Sequence, residues 1–220
     1  MTRYDRRIRL FAACLSAMAG FVDALGFIKL GGLFVSFMSG NSTRLAVGIA
    51  QNASQAPVAA GLIGTFVLGV MAGSVVGRFA REHRRPAVLT VISALLAFAA
   101  ILNALGITAA AIFAMTLAMG AENAIFERDG EVTIGLTYMT GALVKFGQGL
   151  TGAMLGGDPL AWAPYLMLWV GLVLGATAGA LTFPWLGLSG LWIAAAAAGT
   201  LAFVAARTGP DRVVDPPAGG

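Results

Sequence analysis

Phe37-Met38-Ser39-Gly40-Asn41-Ser42-Thr43-Arg44 returns, with its polar chemistry thinned, as Tyr138-Met139-Thr140-Gly141-Ala142-Leu143-Val144-Lys145. The offset is 101 residues, and Gly48 falls on Gly149 at the same spacing. Upstream, Met18-Ala19-Gly20 is answered by Ala118-Met119-Gly120 and Asp23-Ala24 by Asn123-Ala124, both at an offset of 100. Downstream, Gly69, Gly73 and Gly77 fall on Gly171, Gly175 and Gly179 at 102. Offsets that drift by single residues are what small loop insertions leave between two copies of one unit. The chain therefore reads as two related halves, about 9–106 and 108–206, within a single membrane domain over 1–208. The tail at 209–220, with three Pro and three Gly, reads as disordered.

Composition sets the solvent of that domain. Of 220 residues, 58% are hydrophobic and 11% charged, with a mean hydropathy of +0.84. A soluble domain is about 25% charged and about 45–50% apolar, and a chain of this size leaves too much surface exposed to hide the excess. A soluble enzyme and a disordered chain are both excluded on that ground. The net charge of +4 suggests nucleic acid only if position is ignored. Arg3, Arg6, Arg7 and Arg9 precede the first apolar run, and Arg78, Arg81, Arg84 and Arg85 follow the third. Such clusters at segment ends are what the positive-inside rule leaves, so no nucleic-acid partner is expected. Cys14 is the lone cysteine, which excludes an internal disulfide. The basic start resembles a signal peptide, but its apolar run continues past Asp23 to Phe27, so it reads as an uncleaved span.

Apolar runs fall at about 9–29, 33–51, 58–79, 87–106, 108–126, 134–153, 161–182 and 187–206. A helix needs about 20 residues to cross a bilayer. Six runs qualify, whereas 33–51 and 134–153 carry Ser, Thr, Asn, Gln and a base in mid-run. If all eight crossed, the bases would divide evenly between the two faces. If the two polar runs dip in and return, Arg3, Arg6, Arg7, Arg9, Arg78, Arg81, Arg84, Arg85, Arg128, Arg207 and Arg212 lie inside and only Lys29 outside. Charge bias thus favours an all-α integral membrane fold of six transmembrane helices with both termini cytoplasmic. Three crossings per half insert the halves in opposite directions, as two inverted three-span repeats, each with a re-entrant or broken helix.

The dips are where chemistry is expected, because irregular backbone at membrane depth survives only inside protein or along a watery cavity. Gly40 can make the turn, and Ser39 or Asn41 can cap a helix running from Asn41 to Asn52. The free N–H groups of its first turn, with Arg44 beside them, suit an anion or a carbonyl. Thr140, Gly141 and Lys145 repeat the arrangement, and Ala142 replaces Asn41. Ser39, Gly40, Asn41, Arg44, Thr140, Gly141 and Lys145 are therefore the candidate solute-binding residues. Asp23 and Glu122 are candidate buried or coupling charges, expected to pair with Arg44 and Lys145 respectively. Either pair could also be no more than a latch between a dip and its neighbouring span. Glu122 is the weaker candidate, able to snorkel to the surface near Glu127. The four-residue spacing of the glycine triplets gives each helix a face that a second helix can approach closely. That face is expected to pack within the chain, although it could also join two copies as a homodimer.

Enzyme chemistry finds no support. Gly187-Leu188-Ser189-Gly190 has the form of an intramembrane serine site, but His83, the sole histidine, stands among arginines in a loop. Neither a zinc-ligand cluster nor a phosphate loop is present, so no cofactor and no metal are expected. Gly20-Phe21-Val22-Asp23-Ala24-Leu25-Gly26-Phe27, Phe34-Val35-Ser36-Phe37-Met38-Ser39-Gly40-Asn41 and Thr137-Tyr138-Met139-Thr140-Gly141 resemble the YoaK family of bacterial membrane proteins, over about 10–206. That resemblance implies a six-span protein of the bacterial inner membrane, of unknown function and usually presumed to be a transporter. It supplies no substrate and no site residues. The expected function is a small-solute transporter or channel, with an anionic or carbonyl-bearing solute favoured. The alternative is a non-transporting membrane scaffold or assembly partner.

Overall fold

The computed structural model describes residues 5–128 and 131–208; the tail expected to be disordered, 209–220, lies outside the described residues. Eight α-helices follow in order: α1 (Arg6–Lys29), α2 (Met38–Ala50), α3 (Ala56–Ala80), α4 (Arg84–Ala104), α5 (Thr108–Glu122), α6 (Met139–Met154), α7 (Ala163–Leu186) and α8 (Leu191–Thr208). Short 3-10 turns at Arg81–His83 and Gly187–Gly190 join α3 to α4 and α7 to α8.

Length and hydropathy separate these helices into two kinds. Three stretches are long and apolar enough to cross a membrane, Arg6–Lys29, Ala56–Ala104 and Ala163–Thr208, and the last two are each a helix pair joined by a 3-10 turn. Their apolar residues face outward as well as inward: Phe79 is 85% exposed and Trp185 87%, with Leu68, Leu174 and Leu181 beside them. On a folded chain such surface calls for lipid rather than water. By contrast α2 has 13 residues, α5 has 15 and α6 has 16. At 1.5 Å per residue they rise about 20 to 24 Å, short of a hydrocarbon core of about 30 Å, and of the three α5 is the apolar one.

The interior is closed by glycine. A Cβ on Gly20 would run into the Leu172 carbonyl and come within 3.0 Å of the Ala176 nitrogen; one on Gly120 would meet the Phe66 carbonyl and the Val70 nitrogen, also at 3.0 Å. Gly175 and Gly179 of α7 lie against Ala17 and Phe21 of α1, and Gly69 and Gly73 of α3 against Leu117 and Ala121 of α5. These pairs repeat at an offset of 100 on the α1/α5 side and 106 on the α3/α7 side. The expected correspondence of 102 for the glycines is thus corrected by one helical turn. A four-residue spacing looks the same after a four-residue shift, and the extra residues sit in the loop 155–162 before α7, longer than the loop 51–55 before α3. The expected packing of these glycine faces within the chain is thus met by α1 and α5.

α4 packs on α8, and with α1 and α5 they enclose the apolar core of Leu15, Val22, Ile92, Leu96, Met119 and Leu191. α2 packs on α3 and α6 on α7. The expected all-α chain also carries one small antiparallel hairpin, β1 (Glu127–Arg128) with β2 (Glu131–Val132). It follows from the early end of α5, seven residues short of the point where α1 ends if the two are matched at 100.

Candidate functional site

The backbone between α1 and α2 has no helix to satisfy it, so side chains do. Asp23 Oδ1, from the middle of α1, accepts hydrogen bonds from the Val35 and Ser36 N–H groups, each at 2.8 Å. Asn41, fully buried in the first turn of α2, donates to the Phe34 carbonyl at 2.7 Å and accepts from the Phe34 N–H at 2.9 Å. Four backbone hydrogen bonds thereby fold residues 34–36 against α1 and set where α2 begins.

The second half repeats the arrangement with weaker groups. Asn123 accepts from the Thr137 hydroxyl at 3.0 Å and donates to the Met119 and Gly120 carbonyls, ending α5. The Phe126 carbonyl accepts from the Thr133 hydroxyl and N–H, at 2.8 and 2.9 Å. Ala142, where Asn41 would stand, has no side chain to offer. At the far side of the turn the Ser16 hydroxyl of α1 donates to the Leu168 carbonyl at 3.0 Å and lies 4.0 Å from the Met139 sulfur. The start of α6 is thus held against the middle of α1.

Neither half-helix is capped by a side chain. The residue before α2 is Phe37 and that before α6 is Tyr138, and neither makes a capping hydrogen bond. The expected cap at Ser39 or Asn41 is corrected accordingly: α2 starts earlier, at Met38, and Asn41 is inside it. The first-turn N–H groups of Ser39, Gly40, Thr140 and Gly141 have no acceptor within their own helices. Ser39, Thr140 and Gly141 are exposed and Gly40 half-buried. A Cβ on Gly40 would strike the rings of Phe37 and Phe34, while one on Gly141 would meet nothing.

The expected ion pairs do not form. Asp23 is engaged by backbone, and the Arg44 guanidinium lies against Gly32, where a glycine Cβ would be 3.0 Å from Nη2. Lys145 stands 5.7 Å from the centre of the Tyr165 ring. Glu122 has neither Lys145 nor the surface: it is fully buried, and neither carboxyl oxygen has a hydrogen-bond partner. The N–H groups of the turn take the Asp23 carboxylate, and full burial closes Glu122 off from the exposed Lys145.

Among the described residues the ion pair that forms is Arg84–Glu127, at 3.4 Å, with Ser74 donating to the same Glu127 carboxylate at 2.6 Å. Arg85 lies 4.6 Å from the centre of the Phe126 ring. This clasp ties the start of α4 to the turn after α5, and sequence reading had counted its arginines only as topology signals. Ser16, Ser36 and Thr137 were missed as well. The repeat could have found them, since Ser16 matches Thr116 at 100 and Ser36 matches Thr137 at 101. α2 and α6 share no substantial packing, so the two turns do not close on each other directly. A surface groove lined by Val75, Arg78, Phe79 and Arg81 opens at the end of α3, away from both.

The family model DUF1275, described as a protein of unknown function, matches residues 11–204. The chain belongs to this family. It is also 39% identical over 188 residues to UPF0700 transmembrane protein RA0705 of Rhizobium meliloti (strain 1021), covering 84% of this chain and 80% of that one. Both findings agree with the resemblance to the YoaK family and with a membrane protein. No solved structure matches the chain.

Proposed function

We propose that the chain is a small-solute transporter or channel of the bacterial inner membrane, built as two inverted repeats whose half-helices α2 and α6 re-enter from opposite faces. The observation that carries this reading is the uncapped start of each short helix, preceded by non-helical backbone that is latched in the first half onto the long α1 and in the second onto the end of the shorter apolar α5. The inverted relation is supported by the recurring helix contacts: α1 with α7 answers α5 with α3, and α2 with α3 answers α6 with α7. Basic residues gathered at the same segment ends support cytoplasmic termini.

Two helix starts carry partial positive charge, and Arg44 and Lys145 add full charge further along the same half-helices. A small anion or a carbonyl-bearing solute could exchange its water for the N–H groups of Ser39, Gly40, Thr140 and Gly141. In this reading Asn41 and Asp23 build the turn rather than touch the solute, because their polar atoms are already spent on backbone. No enzyme activity, cofactor or metal enters it. The test is flux of halides and small carboxylates into liposomes holding the purified protein. Arg44→Gln and Lys145→Gln should each lower anion flux about tenfold or more, on the order of one hydrogen bond to a charged group, and cation flux should be absent. Anion flux indifferent to both substitutions, or no flux of any such solute, would favour the scaffold alternative.

A further inference from the structure

We propose that Glu122 is a proton-binding site whose neutral form holds the turn between α5 and α6 shut and whose ionised form opens it. The residue is fully buried and neither carboxyl oxygen has a hydrogen-bond partner. An ionised carboxylate so placed is among the most expensive arrangements a protein can hold, and such a group neutralises instead. The closed arrangement therefore carries the proton.

Position gives the proton a consequence. Glu122 is the last residue of α5, and the next, Asn123, makes the side-chain bond to Thr137. Two residues beyond Thr137, α6 begins at Met139. Once ionised, Glu122 reaches water only if Asn123 and the residues it holds at 134–137 part from the bundle, and that movement breaks the Asn123–Thr137 bond. The matching residue in the first half is Val22, fully buried and without charge, so the device belongs to one half alone.

Charged groups on the elements packed against α5 were sought as neutralising partners. On α4, Arg84 is bound by Glu127 and Arg85 lies over Phe126. On α3, Arg78 lines the surface groove. On α1, Asp23 holds Val35 and Ser36, while Arg6, Arg7, Arg9 and Lys29 stand at the two ends of the helix. None of these reaches the Glu122 carboxyl. One proton is taken from the aqueous phase onto a carboxylate oxygen as the turn closes and returned as it opens; no other bond is made or broken in the residue. The proposal rests on the transporter reading only for what the opening admits.

The experiment uses the full chain in liposomes with no solute added. Infrared difference spectra should show the C=O stretch of a protonated carboxyl at neutral pH, converting to carboxylate as pH rises, and absent in Glu122→Gln. Glu122→Val, which installs the residue the first half carries, gives the same readout if the Gln variant fails to fold. Opening is read by Ile134→Cys on a Cys14→Ser background, since Ile134 is buried in the turn. Its labelling by a small thiol reagent, divided by the rate of the same cysteine in Glu122→Gln or Glu122→Val, should rise about tenfold for each pH unit through the titration. A carboxyl band that is missing at neutral pH or survives both substitutions overturns the proposal, as does a labelling ratio flat with pH. If both readouts hold while anion flux is absent, the transporter reading fails and the proton site stands.

Discussion

Alanine at three glycines separates two ways of aligning the halves. Aligned at 102, as the sequence suggests, Gly179 is the counterpart of Gly77; aligned at 106, as the contacts run, it is the counterpart of Gly73. A Cβ at Gly179 would lie 2.6 Å from the Phe21 carbonyl oxygen and 3.1 Å from the Ala24 Cβ; at Gly73 it would lie 2.7 Å from the Ala121 oxygen and 3.0 Å from the Ala124 Cβ. Both are backbone collisions across a helix pair, which only a shift of several tenths of an ångström can relieve. At Gly77 the nearest atoms to the Cβ would be those of the Arg84 side chain, at 3.0–3.1 Å, which can give by a few tenths of an ångström without leaving Glu127, as backbone cannot. Overpacking costs about 1–3 kcal/mol, a collision with backbone falling in the upper part of that range at about 2–3 kcal/mol, and alanine over glycine in a helix returns about 1 kcal/mol. Gly73→Ala and Gly179→Ala should each lose about 1–2 kcal/mol, while Gly77→Ala should be neutral or gain up to about 1 kcal/mol. The two damaging sites lie on different helix pairs, so the double variant should lose about 2–4 kcal/mol. Unfolding of the purified protein in mixed micelles measures each value. A Gly77→Ala variant as damaged as Gly179→Ala, or a harmless Gly179→Ala, would refute the one-turn shift.

Two further outcomes follow from the latches and the charge bias. Asp23→Asn should lose about 1–4 kcal/mol, because an amide oxygen still accepts from Val35 and Ser36, as Asn123 accepts from Thr137, but without the charge; Asp23→Ala should lose more, about 2–6 kcal/mol, by orphaning two N–H groups. The same unfolding assay reads both. Glu82→Cys, exposed in the 3-10 turn after α3, should be labelled by an impermeant thiol reagent only from the cytoplasmic side once Cys14 is removed; labelling from outside would end the six-span reading.

Much of the architecture was legible because bilayers impose coarse rules. Helix boundaries followed apolar runs to within a few residues for most spans, and the two polar runs became two of the three short helices, the third being α5. The repeat motif located both turns, and it also holds both latches, since Asp23 with Ser36 and Asn123 with Thr137 are one arrangement written twice, although the pairing of Asp23 with Arg44 hid them. What sequence could not give was partner choice at depth. Asp23 and Arg44 look like an ion pair on paper, but unpaired N–H groups of the turn compete for the same carboxylate and are nearer. Glu122 looked able to snorkel because Glu127 lies five residues on, a distance that would be short on a continuing helix. The chain instead leaves the helix at Asn123, so one acid ends inside the bundle and the other in a surface clasp.

The unequal latches imply that the two turns differ in how readily they open. The first is held by two hydrogen bonds to a carboxylate, about 1.5–3 kcal/mol each, and two from a buried amide, about 1 kcal/mol each. The second is held by one hydroxyl–amide bond across the turn and by the Thr133 contacts to Phe126, neutral bonds of about 1 kcal/mol each. A difference of about 2–5 kcal/mol in local opening corresponds to about 30-fold to 5,000-fold in amide exchange. Backbone amides at 135–138 should therefore exchange that much faster than those at 34–37 in the protein held in liposomes. The gap should widen at alkaline pH, where an ionised Glu122 adds its own demand for water beside the weaker latch. Widening must be judged after correcting for the intrinsic rise of exchange with pH, which is common to both turns. Equal protection of the two turns would mean that packing against α3 and α7, rather than the side-chain latches, holds the half-helices in place, and the assignment of the second turn as the moving part would fall with it.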